Sequence, residues 1–161
     1  MKTLLLDLVT NEKASFLKDA TPISTYERIH EEPHSILLCT SSYLMESVEA
    51  PSFYEALQQR NIDAVLALMI SSSFTFSYEA HTTVLSFLRF MDGLLLTKTQ
   101  LLQLTNEQTL DEAIQKIFLT APLKAVFIQD RDHVYFYDHQ DLVQPKRLLQ
   151  KDTLAQLSQY R

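Results

Sequence analysis

An α/β fold built on a mixed sheet is predicted by three observations. Up to His30 the chain shows three short runs of apolar residues at strand spacing. From Pro33 onward, apolar residues recur at helical spacing in segments that alternate with short apolar runs. Towards the end, two strand-like segments flank Asp130-Arg131-Asp132 as a hairpin. Antiparallel strands followed by βαβ crossovers describe an RNase-H-like or actin-like lobe, because a plain doubly wound sheet does not open on a meander.

The elements follow in order. Residues 3–9 read as a strand, broken by Asn11-Glu12; residues 14–18 read as a second, and Asp19-Ala20-Thr21-Pro22 as a turn. Residues 23–30 alternate loosely as a third strand, completing the meander. Pro33 suits a first helical position. Ile36, Leu37, Tyr43, Leu44, Met45 and Val48 continue that helix to Ala50, where Pro51 stops it. Ser52 with Glu55 three residues on forms a capping box for a second helix that ends near Asn61. Residues 62–70 are nearly all apolar, the pattern of a strand buried on both faces. A Ser71-Ser72-Ser73 loop leads to a helix over 78–91, with Val84, Phe87, Leu88 and Met91 on one face. Asp92-Gly93 ends it, Gly93 taking the post-helix position. A strand over 94–96 follows, then helices over 99–105 and 110–119, the latter opened by Thr109 and Asp111-Glu112. Strands over 123–129 and 133–138 form the hairpin, and a short helix covers 152–160.

Composition bounds the function. The chain has 161 residues, 46% of them hydrophobic, enough for one domain or one and a small lobe. It has a single glycine, Gly93, against roughly eleven at average usage, so no glycine-rich phosphate loop and no nucleophile elbow is present. The formal net charge of −6 gives no counterion release on a nucleic acid, so direct nucleic-acid binding is not expected. One cysteine, Cys39, allows neither an internal disulfide nor a multi-cysteine metal site. The opening residues do not fit a signal peptide, and no apolar run approaches the ~18 residues of a membrane span. The expectation is a cytoplasmic protein with no membrane contact.

No catalytic set emerges. His30 and His34 are four apart, but Pro33 lies between them; His81, His133 and His139 have no ligand spacing, and no metal site is expected. Ser71, Ser72 and Ser73 occupy a strand-to-helix junction and read as a capping loop. Asp7 ends the first strand, where an acid can orient a metal–phosphate unit, but Leu8 and Val9 follow it, so a turn hydrogen bond is its simpler role. Asp130 and Asp132 around Arg131 read as solvated turn residues. The helices carry more apolar width than one core stripe needs: Leu85 and Phe90, Ile36 and Tyr43 fall off it. That surplus fits a partner interface or a second helical layer.

Several stretches resemble the TsaB (YeaZ) family of tRNA modification proteins. Asn61-Ile62-Asp63-Ala64-Val65-Leu66-Ala67 is similar to the family's I-D-A strand, and Ser73-Phe74-Thr75 to part of its G-P-G-S-F-T-G-x-R loop. The opening Met1 to Thr10, His34, and Ile128-Gln129-Asp130-Arg131-Asp132-His133-Val134-Tyr135-Phe136-Tyr137 are also similar to family patterns, in order. The resemblance implies an actin-like (ASKHA) fold, with an N-terminal lobe over 1–100 and a shortened second lobe over 101–161. It implies a non-catalytic scaffold that binds and stabilises a TsaD-type subunit, which transfers threonylcarbamoyl to a tRNA adenosine, with a TsaE-type ATPase joining. The implied interface comprises Ile36, Tyr43, Tyr78, Leu85 and Arg89. Asp7, Thr10, Ser73 and Thr75 are what remains of a nucleotide site, and no cofactor is expected. The chain departs from the family at Ile70-Ser71-Ser72, Phe76 and Tyr78, and is shorter. Two alternatives stand beside this reading: a degenerate ATP-dependent enzyme or peptidase of the same fold, and a homodimer that has left the modification role.

Overall fold

Apolar runs without polar alternation make up the centre of the molecule. In the computed structural model, which describes residues 2–8, 15–31, 33–59 and 62–160, they become adjacent strands of one sheet. The strands are β1 (Thr3–Leu6), β2 (Ala20–Ile23), β3 (Ile36–Thr40), β4 (Val65–Met69), β5 (Gly93–Thr97), β6 (Ala125–Asp130), β7 (His133–Asp138) and β8 (Asp141–Leu149). Their order across the sheet is β2-β1-β3-β4-β5-β6-β7-β8. The first six are parallel, and β7 runs antiparallel to both its neighbours. Among the described residues six α-helices complete the fold: α1 (Ser41–Glu46), α2 (Ala50–Gln58), α3 (Tyr78–Leu88), α4 (Lys98–Thr105), α5 (Leu110–Thr120) and α6 (Thr153–Leu157).

This order corrects the fold expected from the sequence. There is no antiparallel meander: β1 lies between β2 and β3 and is parallel to both. The strands expected over 14–18 and 23–30 are not found: helical turns occupy Ser15–Asp19 and Tyr26–Glu31, β2 forms between them and ends at Ile23, and residue 14 lies outside the described residues. Pro22 is tolerated in β2 because that strand is the sheet's edge, where a missing N–H costs no ladder bond. The helix expected over 33–50 is strand β3 followed by α1. Ile36, Leu37, Leu38 and Cys39 are all at most 1% exposed, and a run buried on both faces carries no periodicity to separate strand from helix. Pro51 opens α2 from within its first turn and does not interrupt a helix. The actin-like lobe with a truncated second lobe is therefore replaced by a single α/β unit whose sheet continues through β8.

The direction of each crossover decides which face its helix covers. The steps from β3 to β4, β4 to β5 and β5 to β6 all move the same way across the sheet. Right-handed connections then place their helices on one face. Phe53 and Leu57 of α2, Val84 and Phe87 of α3, Leu101 of α4 and Ile114 of α5 pack there, with Leu6, Cys39, Leu68 and Val126 beneath them. The step from β1 to β2 moves the opposite way, and Leu17 of its helical turn packs on the other face, with Ile36, Leu38 and Met69. That second face is completed by the C-terminal segment, where Leu154, Leu157 and Tyr160 bury against Ala125, Phe127 and Phe136. The Tyr160 hydroxyl donates to Asp138 (3.2 Å), and Lys124 Nζ donates to the Tyr160 carbonyl (3.0 Å), fastening the segment down.

Two small residues fit this packing. Gly93 does not serve as a helix stop: α3 ends at Leu88, and Gly93 begins β5 without positive φ. A Cβ there would stand 2.7 Å from Leu157 Cδ1, so its absence lets α6 approach the sheet. Cys39 is enclosed in the central strand, its thiol donating to the Ala67 carbonyl at 3.5 Å. Burial pushes the Cys39 thiol up to about 12.

Candidate functional site

The winding direction reverses between β1 and β3, and the carboxyl ends of strands at such a switch point are where open α/β sheets receive ligands. Asp7 follows β1 there. Its N–H donates to the Ile23 carbonyl (3.1 Å), and its Oδ1 accepts from the Leu8 N–H (2.9 Å) and the Thr40 hydroxyl (2.8 Å). Asp7 is 6% exposed. Thr40 ends β3 and caps α1, accepting from the Tyr43 N–H (3.3 Å).

Polar contacts continue along the edge. Ser71 lies just beyond β4; its N–H donates to Ser41 Oγ (2.9 Å), and its Oγ lies 2.9 Å from Ser42 Oγ. Gln100 Nε2 donates to the Ser71 carbonyl (2.9 Å), while Gln100 Oε1 accepts from the Thr97 N–H (2.9 Å). Thr97 Oγ1 accepts from the Gln100 N–H (3.2 Å), completing a capping box on α4. Two runs of hydrogen bonds, Asp7 to Thr40 and Ser41 through Ser71 and Gln100 to Thr97, joined by the Thr40–Ser41 peptide, thus link the ends of β1, β3, β4 and β5.

At the Thr97 end of these runs a pocket of about 490 Å³ opens. Thr97, Lys98 and Thr99 form one rim, at the end of β5 and the start of α4. Asp130 ends β6, the strand next to β5, and Ile128, Gln129, Tyr135, Tyr137, Leu110 and Pro145 complete the lining. Both its size and its mixture of aromatic wall and few polar groups suit a small organic ligand. Burial, reinforced by the charge of Asp111, pushes the Tyr137 hydroxyl up, so it enters the site as a neutral phenol.

The residues singled out from the sequence scatter. Asp7 makes the turn hydrogen bond expected of it and adds one to Thr40. Thr10 lies outside the described residues. Ser73 and Thr75 are exposed and α3 is capped by Ser77, whose Oγ accepts from the Ala80 N–H at 3.1 Å. Of the five expected interface residues, Ile36 and Tyr43 are 0% exposed; they belong to the core, because β3 and α1 stand where one surface helix is expected. Tyr78 is 90% exposed, Leu85 half-buried and Arg89 exposed, its guanidinium donating to Tyr54 Oη (3.2 Å). The His81 ring pairs with the Leu104 carbonyl (2.6 Å), that of His133 with Arg147 (2.7 Å), and that of His139 with the Lys124 carbonyl (3.1 Å) and the Asp138 carboxylate (3.6 Å). Among the described residues no three His, Cys, Asp or Glu side chains gather as a metal site. Lys98 is not singled out by the sequence, and Tyr135 and Tyr137 enter there only within a family-like stretch and not as site residues, although the Thr97-to-Gln100 capping spacing after an apolar strand marks the start of α4.

No protein-family model and no curated protein matches the chain. Solved structures do. A fructokinase from Xylella fastidiosa matches with a TM-score of 0.55 and 12% identity, over 78% of this chain and 42% of its own. A putative ribokinase II from E. coli matches with a TM-score of 0.56 and 14% identity, over 86% of this chain and 40% of its own. The adenosine kinase of Sinorhizobium meliloti matches with a TM-score of 0.55 and 15% identity, over 71% of this chain and 35% of its own. The chain spans about two fifths of the length of these kinases. At such identities the likeness shows the fold alone, an arrangement of strands and helices that this chain shares with part of each of these kinases. It corrects the TsaB resemblance, the tRNA-modification role and the assignment as a non-catalytic scaffold, since all three rest on an actin-like lobe that the sheet does not form. Among the described residues no helix is long and apolar enough to cross a membrane.

Proposed function

We propose that this chain binds a small organic molecule in the pocket between β5, β6 and β7 and acts in the manner of a small-molecule kinase. The observation that carries the reading is the position of that pocket: it lies at the carboxyl edge of a ribokinase-like sheet, walled by Tyr135 and Tyr137 and rimmed by the capped start of α4. Capping by Gln100 holds Thr97 in one geometry, so the rim is organised before a ligand arrives. The hydrogen bonds from Asp7 to Thr40 and from Ser41 to Thr97 tie that rim to the switch point.

A second reading, ligand binding without phosphoryl transfer, is favoured by the glycine distribution. The sole glycine, Gly93, begins β5 at the opposite end of the sheet, so no glycine turn lines the carboxyl edge for a close approach to phosphate. Incubation with magnesium ATP and fructose, ribose or adenosine, followed by phosphorus NMR, separates the two. A new phosphate monoester supports the kinase reading. Calorimetric binding without turnover supports the second. Thr99→Trp, which places a bulky ring on the exposed rim, is expected to abolish binding without unfolding the chain; unchanged binding would sink the pocket assignment.

A further inference from the structure

We propose that the pocket accepts a zwitterion of the α-amino acid type with an aromatic or bulky apolar body. The proposal rests on the reading of this pocket as the ligand site and names what enters it. Two side chains of opposite charge line the pocket, Lys98 and Asp130. Neither forms an ion pair or side-chain hydrogen bond with any described residue. Their placement follows from the sheet. Thr97 and Gln129 are register partners on adjacent parallel strands; Lys98 opens α4 directly after Thr97, and Asp130 ends β6 directly after Gln129.

That neighbouring pair of charges matches a ligand whose ammonium and carboxylate hang on one carbon. The carboxylate turns to the Lys98 ammonium and the ammonium to Asp130. Asp111, close enough for its charge to act on Tyr137, adds to the negative side. The ligand's side chain then lies on Ile128, Tyr135 and Tyr137, an aromatic and aliphatic wall that offers stacking and apolar contact. A hexose or a nucleoside brings neither counter-charge, so with such a ligand Lys98 and Asp130 stay in water and contribute nothing.

Calorimetric titration of the full chain with four probes tests this. L-phenylalanine carries both charges, phenethylamine the ammonium alone, 3-phenylpropionate the carboxylate alone, and adenosine neither. L-phenylalanine is expected to bind about two- to fivefold tighter than either truncated probe, the ratio one contact to an exposed charge supplies. Lys98→Ala is expected to erase its advantage over phenethylamine, and Asp130→Asn its advantage over 3-phenylpropionate. Both side chains are exposed, so both variants keep the wild-type melting temperature. Equal binding of the three phenyl probes, or insensitivity to both substitutions, overturns the zwitterion. Binding of adenosine with none of L-phenylalanine overturns it too, while leaving the pocket as the ligand site; silence from every probe removes the pocket as well.

Discussion

Strand β3 is five residues long and every residue is buried; strand β8 is nine residues long, with seven exposed and two half-buried. Both belong to one sheet. The inner strand gains its stability from side chains, since Leu37 packs on one face while Ile36 and Leu38 pack on the other. The outer strand gains little from burial and must instead manage an open edge. It does so with chemistry of its own. Asp141 Oδ1 accepts from the N–H groups of Val143 (3.0 Å) and Gln144 (3.1 Å), Pro145 has no N–H, and Lys146 and Arg147 add charge. A template for strand addition is thereby blunted over its first half.

The sharpest way to break the comparison is a matched truncation. Leu38→Ala is expected to cost about 2–5 kcal/mol in urea denaturation, because a fully buried side chain leaves a cavity between packed layers. Val143→Ala, at a site 76% exposed, is expected to stay within about 0.5 kcal/mol. Comparable losses at the two sites would erase the distinction. Next in size is Gly93→Ala, expected to cost about 1–3 kcal/mol by forcing Leu157 off the sheet. Leu157→Ala in the same chain should recover part of that loss, and additive effects would disprove the contact. Smaller, and opposite in sign, is Thr153→Val. The Thr153 hydroxyl is buried without a hydrogen-bond partner, so replacing it by a methyl is expected to stabilise by about 1 kcal/mol.

The smallest effect lies at the edge itself. The N–H groups of Gln144 and Val143 hold the Asp141 carboxyl below its ordinary value of 3.8. A depressed carboxylate contributes stability above that ordinary value and loses it as pH falls through the lower folded value. Acid is therefore expected to loosen β8 only below about pH 4, read as faster amide exchange at Val143 and Gln144. Asp141→Ala combined with Pro145→Val should leave the melting temperature nearly unchanged yet raise light scattering at high concentration. A monodisperse double variant would show that the edge needs no such protection.

Legibility in the sequence followed burial in a revealing way. The run ending at Ile70 reads as a strand because it is too short and too continuously apolar for an amphipathic helix, and β4 is there. The helix at Tyr78 and the hairpin around Arg131 read through because their patterns are local. β3 was hidden: Ile36 to Cys39 is as apolar as β4, but Tyr43, Leu44 and Val48 extend it at helical spacing. β8 was hidden for the opposite reason, since Gln144-Pro145-Lys146-Arg147 carries no apolar alternation. In the site, Asp130 stood out as a turn acid, whereas its neighbour Lys98 is brought beside it only by the pairing of β5 with β6. Sheet register is a property of the folded chain, and no stretch of sequence displays it.

The enclosed cysteine of β3 turns the central strand into its own clock. Alkylating reagents attack the thiolate, which Cys39 does not form while it is buried and held at about 12. Labelling therefore waits for β3 to come free. With closing faster than labelling, the modification rate of the intact chain in plain buffer reports the opening equilibrium of the innermost layer, with no denaturant and no extrapolation.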